Sequence, residues 1–386
     1  MQELWRCGMR KRVIAAILAA AMFFLWPAVG AEAVSDEELS APAAILMEAD
    51  TGKILYEKAS HDQRPCASIT KVMTLLLTME AIDSGKIALT DMVAASAHAA
   101  SMGGSDIWLK EGESMSVDDL LKATVVMSAN DAAVVLAEYV AGTEDEFVGM
   151  MNARAKELGM NDTLFKNCNG LDEEGHLTSA HDVAVMSREL IKHEKIFDYT
   201  MIWIDYVRDG QTQLVNTNKL IKTYQGITGL KTGTTSAAGS CISATAERSG
   251  LSLVSVVLGC PSTKERFADA ATLLDYGFAN WASAEPETPE LLPLPVKNGM
   301  QTEVALEAEA SESVLVKKGR ESEILCETKL SEFLEAPVEK GQTAGSITYS
   351  LDGEVLLERK VFTKDAVEEI TLPSAFTVLL EELLRF

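Results

Sequence analysis

The sequence predicts an α+β domain, then a small all-β domain and a short terminal helix, all behind a leader that belongs to neither. Three observations carry that expectation. Apolar, strand-like runs open the first domain and return late in it, on either side of a helix-rich middle. A stretch rich in Pro and Glu near residue 286 breaks the texture. Beyond it, short runs alternate with period two and turn residues fall between them. At 386 residues the chain exceeds what one hydrophobic core usually organises, which agrees with two folded units.

The leader comes first. Arg6, Arg10, Lys11 and Arg12 precede an apolar run over 13–25, Pro27 and small residues close it, and Ala31 and Ala33 form a small-x-small pair. This is the layout of a cleaved export signal over 1–33, and it predicts a mature protein that works outside the cytoplasm, in the cell wall or at the outer face of the membrane. An uncleaved anchor is the competing reading, disfavoured because the run is short for a span.

Over 44–57 two apolar-rich runs flank Asp50, Thr51 and Gly52 and read as a β-hairpin. The segment 68–84 is apolar on nearly all sides and stops at Gly85, as expected of a helix buried in mid-domain. Ser116 with Asp119, Thr143 with Glu146 and Ser179 with Asp182 are capping-box pairs that start three further helices. Strands follow at 241–246 and 251–258, with Ser249 and Gly250 between them, and a helix over 264–281 closes the domain. The expected division is a first domain over 34–285, a β-rich domain over 286–372 with Asn298-Gly299 and Asp352-Gly353 at turns, and a terminal helix over 373–386. That helix carries Phe376, Leu379, Leu380 and Leu383 on one face. It lies in a membrane interface or docks on the β-module.

Charge and cysteine content exclude several functions. With 58 acidic against 34 basic residues the net charge of −24 argues against nucleic acid and anionic headgroups as partners, so any membrane contact must be apolar. Loss of the leader removes Cys7 and leaves Cys66, Cys168, Cys241, Cys260 and Cys326, an odd, scattered set that predicts free and mostly buried thiols. His176 and His181 lack partnering ligands at useful spacing, so no metal site is expected.

Three short motifs carry chemistry. Ser68 and Lys71 stand three residues apart, which on a helix puts hydroxyl and amine on one face, where a lysine of lowered pKa can take the serine proton. A Ser-x-x-Lys match arises by chance roughly once in a chain this long. Its place at the start of an unusually apolar helix raises its weight. Ser128-Ala129-Asn130 interrupts two apolar stretches and by itself reads as a helix cap, a catalytic role needing the other motifs to support it. Lys231-Thr232-Gly233 offers a cation for a carboxylate and a glycine for close approach, with the N–H groups of Thr234 and Ser68 as candidate oxyanion donors; a plain β-turn is the alternative.

In this order and at these separations the three elements resemble the active-site signature of serine β-lactamases and penicillin-binding proteins. The flanking text "RPCASITKVMT", "VVMSANDAAVVLAEY", "FKNCNGLDEEGHLTSAHDVAVMSREL" and "GLKTGTTSAAGSCISATAERSG" is similar to the low-molecular-mass D-alanyl-D-alanine carboxypeptidases over about 43–281. The resemblance implies a β-lactamase/transpeptidase-like α/β domain, with an antiparallel sheet flanked by helices and a helical subdomain. It implies Ser68 as nucleophile, Lys71 as general base, Ser128 as proton relay, Asn130 on the substrate amide, and Lys231, Thr232, Gly233 and Thr234 on the substrate. Arg266 falls where the family has an arginine assisting the carboxylate site, its alternative being a surface residue paired with Glu265 or Asp269. The implied substrate is a peptidoglycan stem peptide ending in D-Ala-D-Ala, with β-lactams as covalent inhibitors and no cofactor. Cys66 departs from the family, which more often has Pro there, and is read as a packing residue.

Two other functions compete. A β-lactamase of the same fold needs a glutamate-held water; "GLDEEGH" has Glu173 and Glu174 but no Asn at the spacing of that motif, and the second domain is foreign to it. A catalytically idle wall-binding scaffold is disfavoured by the intact Ser68, Lys71, Ser128, Asn130, Lys231 and Gly233.

Overall fold

The computed structural model describes residues 34–384, so the expected export signal lies outside the described residues. The chain opens with the hairpin β1 (Ala43–Glu48) and β2 (Ile54–Lys58). The helices longer than one turn that follow are α1 (Lys71–Asp83), α2 (Val117–Lys122), α3 (Asn130–Ala141), α4 (Glu144–Glu157) and α5 (Ala180–Leu190). Strands β3 (Ile227–Thr235), β4 (Gly239–Arg248) and β5 (Leu251–Cys260) lead into α6 (Thr263–Asn280). The strands form one sheet in the order β2-β1-β5-β4-β3, antiparallel throughout.

The central strands are continuous apolar runs because both faces are covered. In β1, Ala43, Ile45 and Met47 join the core of α1 and α5, while Ala44 and Leu46 join the core under α6. Val254 and Val256 of β5 face the first core, Leu253 and Val257 the second. α1 is buried along almost its whole length, as its all-round apolar sequence demands, and Gly85 takes φ +72° just past its end.

The N-cap bond of each expected capping pair forms: Ser116, Thr143 and Ser179 accept from the amides of Asp119, Glu146 and Asp182. Ser262, which sequence reading passed over, does the same for Glu265 at the start of α6. The cap reading of Ser128-Ala129-Asn130 fails. The N-cap of α3 is Ala129, with no side-chain cap bond, and Ser128 takes φ +64° after a π-helical turn at Ala123–Met127.

Beyond α6, β6 (Trp281–Ala284) pairs antiparallel with β7 (Val314–Lys317), so a ribbon crosses the boundary expected at 286, and Leu315 reaches the core under α6. The rest of the C-terminal part is β-rich. A four-stranded sheet runs Leu306–Ala308, Glu354–Thr363, Thr343–Leu351, Leu325–Leu330, beside a three-stranded one built on Leu294–Lys297. Asp352 and Gly353, at φ +52° and +82°, make the two-residue turn that their sequence announces. The last helix, α7 (Leu372–Leu384), leaves Leu372, Phe376, Leu380 and Leu384 exposed at four-residue spacing. No helix among the described residues is long and apolar enough to cross a membrane. The five described cysteines are free, with Cys326 exposed and the others buried.

Candidate active site

Ser68 sits not on α1 itself but on the 3-10 turn Ala67–Thr70 that precedes it, and α1 begins at Lys71. The turn still places Lys71 Nζ 3.1 Å from Ser68 Oγ. Its Ser68 N–H lies in the first turn, where no carbonyl of the turn itself is available to accept it. Gly233 of the edge strand β3 packs against that turn: a Cβ there would meet Ser68 N at 2.9 Å and Cys66 O at 2.7 Å. Glycine is needed so that β3 and the nucleophile can lie this close. The β-turn reading of Lys231-Thr232-Gly233 is thereby excluded, since all three are strand residues.

Lys71 is fully buried. Its ammonium donates to Asn130 Oδ1 (2.6 Å) and to the carbonyl of Asn169 (2.7 Å) as well as to Ser68. Burial lowers its pKa to about 7, the buried thiol of Cys168 and the carboxylates of Asp106 and Asp131 opposing the drop. Asn130 is held from both sides, its Nδ2 donating to Gly103 O at 2.7 Å and its main-chain N–H to Ser105 O.

On the facing wall Lys231 Nζ donates to Ser128 Oγ at 2.8 Å. Lys231 is buried, and burial together with the neighbouring Lys71 and Arg266 charges pushes its pKa well below the usual lysine value. Thr232 Oγ1 donates to Thr217 Oγ1 (2.7 Å), and Thr234 stands exposed at the strand edge. Arg266 is not a surface residue: it is 5% exposed, and its Nη1 donates to Gly233 O (3.0 Å) and Thr234 Oγ1 (2.8 Å). Neither Glu265 nor Asp269 takes it; Asp269 instead accepts the main-chain N–H of Ala41. The structure therefore brings all nine sequence-derived residues together.

Three contributors went unassigned in the sequence. Asn169 supplies the carbonyl that fixes Lys71, and Gly170 beside it, at φ +84°, clears the Ala67 carbonyl, which an added Cβ would overlap. The Asn-Gly pair in "KNCNGLDEEG" was the available signal. His176 holds the turn from behind through Thr70 Oγ1 at 2.7 Å and is kept neutral by burial, with a pKa of about 4. Cys66 is a buried packing residue whose thiol is raised to about 12 by burial. Glu173 and Glu174 are exposed, Glu173 accepts from Asn167, and neither is among the hydrogen-bond partners of Lys71. A cavity of about 270 Å³ lined by Ala67, Leu171, Glu173 and His176 adjoins the nucleophile turn. A larger one of about 570 Å³, at Arg248, Trp281 and Lys318, shares no lining residue with the site.

Fold and comparisons together define a serine-type peptidase. The chain belongs to the D-alanyl-D-alanine carboxypeptidase family, whose model matches residues 30–262, and a second model, penicillin-binding protein 5 C-terminal domain, matches 290–369. It is 43% identical to D-alanyl-D-alanine carboxypeptidase DacF of Bacillus subtilis, covering 85% of this chain and 86% of that one. Among solved structures it is similar to penicillin-binding protein 5 from Haemophilus influenzae, with a TM-score of 0.73 and 30% identity over 87% of this chain and all of that one. It is also similar to penicillin-binding protein D2 from Listeria monocytogenes in its ampicillin-bound form, with a TM-score of 0.58 and 33% identity over 63% of this chain and all of that one.

Proposed function

We propose that this carboxypeptidase removes the terminal D-alanine from peptidoglycan stem pentapeptides through an acyl-enzyme on Ser68. The observation that carries the reading is the buried Lys71 amine held 3.1 Å from Ser68 Oγ by two fixed acceptors, Asn130 and Asn169. A serine hydroxyl attacks only when a base within reach takes its proton, and a lysine near pKa 7 is half neutral at physiological pH.

Ser68 Oγ attacks the carbonyl carbon of the penultimate D-alanine as Lys71 takes its proton, and the N–H groups of Ser68 and Thr234 receive the oxyanion. Ser128 passes a proton to the leaving amine, D-alanine departs, and water hydrolyses the ester by the same proton route in reverse. The terminal carboxylate meets Lys231, Thr232 and Thr234, with Arg266 bracing the strand behind them. Lys231 is an acceptor of negative charge in waiting: burial disfavours its ammonium, and an arriving carboxylate supplies the missing counter-charge. β-Lactams acylate the same serine, and residues 34–285 form the catalytic domain, with 286–372 an accessory β domain.

The protein works outside the cytoplasm, and the exposed stripe Leu372, Phe376, Leu380 and Leu384 of α7 lies in the membrane interface. Release of D-alanine from a D-Ala-D-Ala pentapeptide tests the function. Wild-type turnover with none from Ser68→Ala supports it, and an intact peptide after prolonged incubation with wild type refutes it.

A further inference from the structure

Trp108 is 73% exposed and takes φ +56°, a left-handed conformation that bulky side chains rarely adopt. The surrounding structure enforces it. Buried Asp131 accepts the main-chain N–H of Ile107 and of Leu109, on either side of the tryptophan. Arg208, reaching across from the hairpin over 204–215, donates to Ile107 O at 2.7 Å and to Trp108 O at 3.5 Å. Four bonds thus clamp the backbone around one ring that lies in solvent. Strain retained at an exposed aromatic calls for a use.

The same loop is part of the active-site wall. Gly103 O and Ser105 O accept from Asn130, whose Oδ1 holds Lys71. Three residues span at most about 10 Å, so the Trp108 backbone stands within that reach of Ser105, which accepts from Asn130 N–H and donates to Met127 O next to Ser128. Beside the tryptophan Glu113 pairs with Arg208 at 2.6 Å, so the arginine that clamps the loop is already neutralised. The hairpin that carries Arg208 turns Ile204, Tyr206 and Val215 outward on one face.

We propose that Trp108 is a subsite for a pyranose ring of the cell-wall glycan to which the stem peptide is attached. A sugar ring is neutral, rigid and amphipathic, and the C–H groups of one face pack on the negative face of an indole. A flexible peptide gains less from a single fixed plane. This inference rests on the carboxypeptidase reading and adds to it a preference for glycan-linked over free peptide.

The test compares kcat/KM of the full-length protein on a free D-Ala-D-Ala pentapeptide and on the same pentapeptide carried by its disaccharide. Wild type is expected to favour the sugar-linked substrate, Trp108→Ala to lose about tenfold on it while staying within twofold on the free peptide, and Trp108→Phe to retain most of the preference. Unchanged penicillin acylation in each variant shows that the Ser68 machinery is intact. Equal losses on both substrates, or no loss on either, overturn the proposal. Absence of wild-type turnover on the free peptide would overturn the carboxypeptidase reading instead, so the two failures are distinct.

Discussion

Lys231 donates a hydrogen bond of 2.8 Å to Ser128 Oγ, so a buried cation and a hydroxyl meet across the cleft from the Ser68–Lys71 pair. The arrangement gives Ser128 a fixed orientation and gives Lys231 a reason to be present without any carboxylate partner. Ser128→Ala is expected to slow acylation by 10²–10⁴-fold, the range for loss of a positioned proton-transfer group, while leaving the fold intact. Stopped-flow acylation by a fluorescent penicillin measures it.

Lys71 sets the pH profile. The base is the neutral amine, and burial lowers its pKa to about 7. Below that value kcat/KM should fall about tenfold per pH unit, and above it the profile should level off until another group titrates. Lys71→Arg keeps the charge and cannot lose its proton, so it should be inactive at every pH.

Gly233 tests the close approach of strand and nucleophile. With three main-chain atoms at 3.0 Å or less from its virtual Cβ, Gly233→Ala must push β3 away from the Ser68 turn. The expected result is a loss of penicillin acylation of at least about 100-fold, the scale of one oxyanion donor, in a protein that still folds.

Arg266 ties α6 to β3. Removing it in Arg266→Ala takes away the charged donor to Gly233 O and Thr234 Oγ1 and leaves Gly233 O with the Thr234 hydroxyl, a loss of about 1.5–3 kcal/mol that loosens the strand offering Thr234 to the substrate. Both the thermal midpoint and KM should respond, KM rising more than kcat falls.

The terminal helix gives a separate prediction. Ending the chain before Leu372 should abolish sedimentation with lipid vesicles and leave pentapeptide turnover in solution unchanged. A shorter chain ending near 286 is a harsher cut, because β6 loses its partner β7 and Leu315 leaves the core under α6. Its activity should survive at lower thermal stability.

Sequence reading found what is local or paired with a motif. Period and capping pairs located the helices because each signal lies within four residues, as at Ser116 with Asp119. The three motifs named the site because their residue types have few other uses together. What was missed depends on tertiary contact. Asn169 acts through its carbonyl, which every residue possesses, and Arg266 was ambiguous until burial was known. Ser128 read as a cap because capping and catalysis draw on the same side chains; only its left-handed backbone separates the two. The β6–β7 ribbon was hidden because its partners are thirty or more residues apart and the Pro-rich stretch between them reads as a break.

Whether Ser68 is the nucleophile is decided by the mass of the intact protein after brief exposure to penicillin, followed by peptide mapping of the adduct. One penicilloyl group per chain is expected, on Ser68, and none on Ser68→Ala. An adduct on any other residue, or a Ser68→Ala protein that still acquires the mass, would contradict it.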